Sequence, residues 1–211
     1  FIIPGGVKRE LEAGELKKLR EGVANVMEEM RGLLKIGLES DGLIERMVTS
    51  GVLRPEAAKA YGAVGIAMRA TDQKMDTRTD HPYAAYNRLK FEAVTKTGGD
   101  VFARFMVRVE ELEASFRMVE EILKLLPKSQ GQANVKVKAK KGEALSAVEG
   151  WRGEILHFVR LDHDGCIDRM AVRDPSFCNW PLFGEIGPGN IVPDFQLCNK
   201  SLNLSYSGTD L

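Results

Sequence analysis

Cysteine is scarce in this chain: Cys166, Cys178 and Cys198 are an odd number, widely spaced, with no C-x-x-C pair. That pattern supports neither a disulfide framework nor a zinc knuckle, and it reads as a reducing, cytoplasmic setting. A dominant sign of charge is also lacking. Lys+Arg and Asp+Glu both number 30 in 211 residues, whereas nucleic-acid binders carry a basic excess or a basic face. No run of residues is long and apolar enough to span a bilayer. The opening Phe1-Ile2-Ile3 is cut short by Pro4-Gly5-Gly6, so it does not read as a signal peptide. Membrane contact is therefore expected through partners. A start methionine is absent as well, which points to a processed or truncated N-terminus. Neither a P-loop nor a G-x-G-x-x-G occurs, and the acids between Asp72 and Asp80 lack the oxygen-ligand spacing of an EF-hand.

What is present is helical periodicity. From about Glu15 to Leu38, apolar residues recur three and four apart at Leu16, Leu19, Val23, Val26, Met30 and Leu33, which places them on one helix face. A second such segment follows Gly98-Gly99, with Asp100 as N-cap and Phe102, Phe105, Val109, Leu112, Phe116, Val119, Leu123 and Leu126 on one stripe, up to Pro127. Two amphipathic helices of this length should pack on each other. Between them Pro55 opens a short helix, Glu56 to Tyr61, and the polar stretch Thr71 to Tyr86 reads as an ordered loop leading into another.

After Pro127 the pattern changes. Residues 128–142 read as a Lys- and Gly-rich loop around a short strand, Val135 to Val137. Three apolar runs follow: Ala144 to Val148, Ile155 to Leu161 and Ile167 to Val172. Asp162-His163-Asp164-Gly165 between the last two is a strong hairpin signal. From Asn190 onward one more helix and then a loop are expected. The fold class is thus mainly α (α+β), a long-helix bundle with a small antiparallel sheet. It divides into a helical body (1–127), a β-element (128–175) and a C-terminal segment (176–211).

Few residues advertise chemistry on their own. The plain reading of Glu149-Gly150-Trp151-Arg152-Gly153-Glu154 is a hairpin turn with a surface arginine. Its functional reading is an arginine held rigidly between two strands and aimed into a cleft, able to orient an anion. His157 reads first as a core histidine, His163 as solvated, and His81 before Pro82 as a cap or switch. The tail Ser201 to Gly208 says only that a polar loop stands there. Aromatic and aliphatic residues exceed what a small sheet can hide: Trp151, Phe158, Phe177, Trp180, Phe183, Ile186, Ile191, Val192 and Phe195. They either cover the end of the helical core or form an interface.

Several segments together resemble the superfamily of hydrogenase large subunits and complex I D-type subunits. They are FIIPGGVKR (Phe1 to Arg9), AYGAVGIAMRATDQKMDTRTDHPYAAY (Ala60 to Tyr86), GGDVFARFMVRVEELEAS (Gly98 to Ser115), GWRGEILH (Gly150 to His157) and RDPSF (Arg173 to Phe177). They run in the family's order over nearly the whole chain. The resemblance implies a mainly helical subunit that pairs with a small iron–sulfur subunit at the cytoplasmic foot of a membrane complex, where hydrogen chemistry or quinone reduction occurs. In the nickel enzymes two C-x-x-C pairs hold the metal, and an arginine of a PRG turn overhangs it.

This chain departs from that pattern. It has no N-terminal cysteine motif. Where the family has D-P-C-x-x-C near the C-terminus, Asn203, Leu204, Ser205 and Gly208 stand at the aspartate, the proline and the two cysteines. Serine is a poor ligand for a soft metal and glycine offers no side chain. Trp151 replaces the proline of the PRG turn, but Arg152 is kept. The resemblance therefore implies a nickel-free branch, of the hydrogenase-4 or formate-hydrogenlyase-like kind, that binds no cofactor itself. The iron–sulfur clusters would lie in its partner, and a quinone could occupy the cleft. Arg152 and His157 are the expected catalytic residues, and Asn203, Ser205 and Tyr206 the expected binding residues. Arg152 is expected close to Asn203 and Ser205 in space. The alternatives are a catalytically dead scaffold and a fragment of an active hydrogenase.

Overall fold

The computed structural model describes residues 2–3, 6–126, 136 and 138–210. A two-stranded ribbon, β1 (Ile2–Ile3) and β2 (Gly6–Val7), precedes the long helix α1 (Ala13–Leu38). Next come α2 (Asp41–Met47), α3 (Pro55–Ala60), α4 (Ile66–Arg69), α5 (Thr77–Asp80) and the second long helix, α6 (Val101–Leu125). The sheet follows as β3 (Gly142–Gly150), β4 (Gly153–Leu161) and β5 (Ile167–Arg173), and α7 (Pro175–Asn179), α8 (Phe183–Ile186) and α9 (Asp194–Leu202) close the chain. The architecture is mainly α with a small antiparallel sheet, in the order β3-β4-β5. The strand expected at Val135 to Val137 lies outside the described residues.

Local chemistry explains the boundaries. Asp100 caps α6 as its spacing indicates: one carboxylate oxygen accepts from the Ala103 N–H at 2.7 Å and the other from the Thr49 N–H at 2.9 Å. That second bond ties the start of α6 to the turn after α2. Pro55 occupies the first turn of α3, where its missing N–H costs nothing. Between β4 and β5, the Asp162 carboxylate accepts from the Asp164 and Cys166 N–H groups, both at 2.9 Å. Gly165 there takes a left-handed φ of +80°.

The core lies where α3, α4 and α6 meet the C-terminal helices. Leu53, Ala58, Ala63, Ala67, Val101, Leu182, Ile186 and Leu202 form its centre. The expected pairing of α1 with α6 is present, held partly by Arg31 gripping the Glu113 carboxylate at 2.7 and 2.8 Å. Yet no residue of α1 is buried, and Leu33 of its apolar stripe is 63 % exposed. Among the described residues only α6 flanks α1 along its length, so one neighbour covers a stripe that could serve two.

The C-terminal third is more helical than its sequence pattern indicates. The Pro- and Gly-broken stretch forms short turns of helix, α7, a 3-10 turn (Trp180–Leu182) and α8. They let Leu182 and Ile186 enter the core, while Trp180 and Phe183 pack against it half-buried. Phe177, Ile191, Val192 and Phe195 remain exposed. No helix among the described residues is long and apolar enough to cross a membrane.

Candidate functional site

The turn joining β3 to β4 is only Trp151-Arg152, with Gly150 paired to Gly153 across it. It rests directly on the loop before α4. Gly65 has φ +62° and ψ −136°, a conformation open essentially to glycine alone. A Cβ there would run into the Arg152 carbonyl oxygen and the Gly153 Cα, and a Cβ on Gly153 would lie 2.8 Å from the Gly65 nitrogen. Two backbones thus meet with no side chain between them, and both must be glycine at the contact. The buried Asn179 fixes the same loop, because its amide accepts from the Val64 N–H at 3.0 Å and donates to the Val64 carbonyl at 3.1 Å.

Held this way, Arg152 reaches α9. Its Nε donates to the Asn203 carbonyl. Asn203 is the left-handed C-cap of α9, φ +52°, a conformation asparagine tolerates better than most residues. Arg108 of α6 donates to the neighbouring Ser201 carbonyl, reaches the Leu202 carbonyl at 3.4 Å, and lays its guanidinium 5.0 Å from the centre of the Trp151 ring. Arg104, one turn earlier on α6, is fully buried; it donates to Ser201 Oγ at 2.8 Å and to the Gly99 and Gly51 carbonyls at 2.7 and 3.0 Å. Three guanidiniums therefore gather at the C-terminal end of α9, where the helix dipole favours positive charge. Burial lowers the pKa of Arg104 to about 10. Burial, together with the neighbouring positive charge of Arg152, does the same to Arg108.

Among the residues singled out from the sequence, Arg152 and Asn203 are thus in direct contact. Ser205 follows on the same loop. Its N–H donates to Ser176 Oγ at 2.9 Å, and its own hydroxyl accepts from the Gly208 N–H at 3.0 Å. Gly208 is packed so closely that a Cβ would lie 2.6 Å from the Asp174 carboxyl carbon. A hydroxyl tied into its own turn and a glycine, which offers no side-chain ligand, do not fit a nickel–thiolate centre. Tyr206 is 71 % exposed, its ring 5.2 Å from that of Trp180. His157 is not at the turn: it sits four residues along β4 from Gly153, about 13 Å at strand rise, and is exposed.

The respiratory-chain NADH dehydrogenase, 49 Kd subunit family matches residues 1–141 and 131–211 of this chain. The chain belongs to that family. It is 34 % identical to the second D-type subunit of NADH-quinone oxidoreductase from Herpetosiphon aurantiacus, over 98 % of its own length and 57 % of the relative's. It is 30 % identical to formate hydrogenlyase subunit 5 of Escherichia coli over 98 % of its own length and 36 % of that protein's. With the D-type NADH-quinone oxidoreductase subunit of Bacillus cytotoxicus it shares 31 % identity over 91 % and 53 % of the two chains. The chain spans about half the length of the curated relatives it matches.

Several segments that carry the likeness to this family form a second constellation, which sequence reasoning did not single out. Arg69, only 1 % exposed, meets three carboxylates: Glu111 at 2.7 Å, Glu149 at 2.8 Å and Asp76 at 3.3 Å. Arg78 grips Asp76 through Nε at 2.8 Å and Nη2 at 2.6 Å. Glu149 also accepts from the Thr77 N–H at 3.0 Å. One signal was available in the sequence. Arg104, Arg108 and Glu111 stand at i, i+4 and i+7 on the same side of α6 as apolar Val101 and Val107, and charges on a core-facing stripe need buried partners. Gly65→Ala should destabilise the chain by at least about 2 kcal/mol, measured by urea unfolding. Wild-type stability in that variant would contradict the glycine-to-glycine contact.

Proposed function

We propose that this chain is a subunit of a respiratory oxidoreductase complex of the NADH-quinone oxidoreductase or formate-hydrogenlyase type, and that it is nickel-free. In this reading it works at the cytoplasmic face of the membrane, beside a small iron–sulfur subunit and membrane subunits. The cleft around the Trp151-Arg152 turn and the Asn203–Tyr206 loop serves quinone or proton-coupled electron transfer. The observation that carries it is the Arg152–Asn203 hydrogen bond, which joins the two segments that flank one site in the resemblance, although fifty-one positions separate them. Arg152 would hold charge developing on an oxygen of the substrate through its free Nη groups, and the exposed Tyr206 phenol would supply a proton.

The partner reading rests on a row of aromatic rings tilted against one another. Tyr206, Trp180, Phe183 and Phe195 follow one another at centroid separations of 5.2, 5.3 and 5.4 Å, with Phe195 and Tyr206 mostly exposed. Aromatic side chains of this kind are enriched in interfaces. One observation favours a second reading, a scaffold without chemistry. Arg152 Nε is spent on a helix end and the Ser205 hydroxyl on its own turn, as in purely structural roles.

Two measurements decide between these. In membranes carrying the assembled complex, Arg152→Ala should lower quinone reduction by about two orders of magnitude while the complex still assembles. Full activity with normal assembly leaves only the scaffold. Elemental analysis of the chelated, purified chain should find no stoichiometric nickel, and one bound nickel per chain would overturn the nickel-free assignment.

A further inference from the structure

Beside Trp151 a cavity of about 290 Å³ opens against the buried charge cluster. Its wall includes Arg69, Arg108, Glu111, Ser115 and Glu149. The space suffices for several waters. Three polar atoms of these side chains have no hydrogen-bond partner among the described residues: Arg69 Nε, Arg108 Nε and Glu111 Oε1. Arg69 Nη2 does approach Glu111 Oε1 at 2.7 Å. It comes off the N–H axis, so the contact is an ion pair without a directed hydrogen bond. Those three atoms are themselves enclosed by protein, so cavity water meets Glu111 through the 16 % of its side chain that stays exposed.

The three carboxylates of the cluster are not equivalent. Asp76 takes the backbone N–H, Nε and Nη2 of Arg78. Glu149 takes Arg69 Nη1 on one oxygen and the Thr77 N–H on the other. Glu111 keeps the off-axis contact to Arg69 and a 3.5 Å approach from Arg78 Nη2. It is faced by Arg69 from α4, by Asp76 and Arg78 from the α5 segment, by Glu149 from β3 and by Arg108 on its own helix. Arg108 directs its Nη donors away, to the carbonyls that end α9. Two guanidiniums are thus shared among three carboxylates, and Glu111 is the least satisfied.

We propose that Glu111 is a proton-exchange site, reached from solvent through the cavity beside Trp151. A hydronium ion in cavity water gives its proton to the Glu111 carboxylate and leaves as water; release runs the same step in reverse. As an acid, Glu111 donates its proton in a hydrogen bond to cavity water. Burial raises the pKa of its carboxyl, the like charges of Asp76 and Glu149 add to that, and Arg69 and Arg78 oppose it. Because the folded state then holds the proton more tightly than the unfolded chain, this group's contribution to stability is fully present below the ordinary glutamate pKa. It is lost as pH rises through the raised value. The proposal does not depend on whether the assembled complex reduces quinone.

The test is carbon-detected NMR titration of the folded full chain labelled at the glutamate side-chain carboxyls. The Glu111 resonance, assigned in the wild type through its own backbone connectivity, should titrate with a midpoint displaced upward from the ordinary glutamate range. It should vanish in Glu111→Gln. A Glu111 midpoint within that ordinary range overturns the proposal. So does an upward-shifted resonance that persists in Glu111→Gln. Assignment in the wild type keeps the test decisive even where the variant does not fold.

Discussion

The carbonyl end of α9 is the constraint on which the rest of this site depends. A helix leaves its last carbonyls without partners inside the helix, and this one ends against the protein body rather than in water. Arg108 and Arg152 meet those carbonyls from two different elements, on Ser201, Leu202 and Asn203, and Arg104 grips the Ser201 hydroxyl beside them. Each guanidinium is costly to bury, and each is stabilised by the negative end of the dipole and by carbonyl acceptors. Arg104 also binds the Gly51 and Gly99 carbonyls. The same side chain therefore fixes the two turns that lead into α3 and α6. Beyond these arginines, the C-terminal loop is tied to the body mainly through Ser205, by the Ser176 hydroxyl and the Trp180 indole.

The hairpin tip is the other half of the arrangement. Its position is set by backbone contact, Gly65 against Gly153, and by the Asn179 amide on Val64. Such contacts leave little freedom, since neither partner has a side chain that could rotate away. The tip carries Arg152 toward α9 on one side and Trp151 over Arg108 on the other. The buried cluster of Arg69, Asp76, Arg78, Glu111 and Glu149 lies just behind it, so the tip links a mostly exposed loop to a charged interior.

Much of the scaffold was legible in the sequence, for reasons that can be named. The 3.6-residue period marked α1 and α6 over about seven turns each, and Asp100 behind two glycines marked where α6 begins. Asp162 to Gly165 marked the β4–β5 turn. The short helices α4, α5, α7 and α8 were not legible, because four or five residues give too little period to detect. They form because the core recruits Ile66, Thr77, Pro175 and Ile186. In the site, Arg152 and Asn203 followed from the likeness to the family, and the contact between them agrees with it. His157 shares a sequence motif with Arg152, but four residues of extended strand carry it away from the turn. The charge cluster was missed because Asp72 to Asp80 reads as a polar loop. Its Asp76 is in fact fully buried between two arginines, a tertiary fact that local pattern does not encode.

The central claim is that guanidinium caps from two elements hold the C-terminal loop in place. Amide hydrogen exchange of the folded chain, wild type against Arg152→Ala, tests it most directly. The Asn203 N–H, bonded to the Asn199 carbonyl, and the Ser205 and Gly208 N–H groups, bonded to Ser176 Oγ and Ser205 Oγ, are the reporters. The account predicts faster exchange at these three amides with α6 unchanged. Unchanged protection of the loop, or a uniform loss across the whole chain, would contradict it.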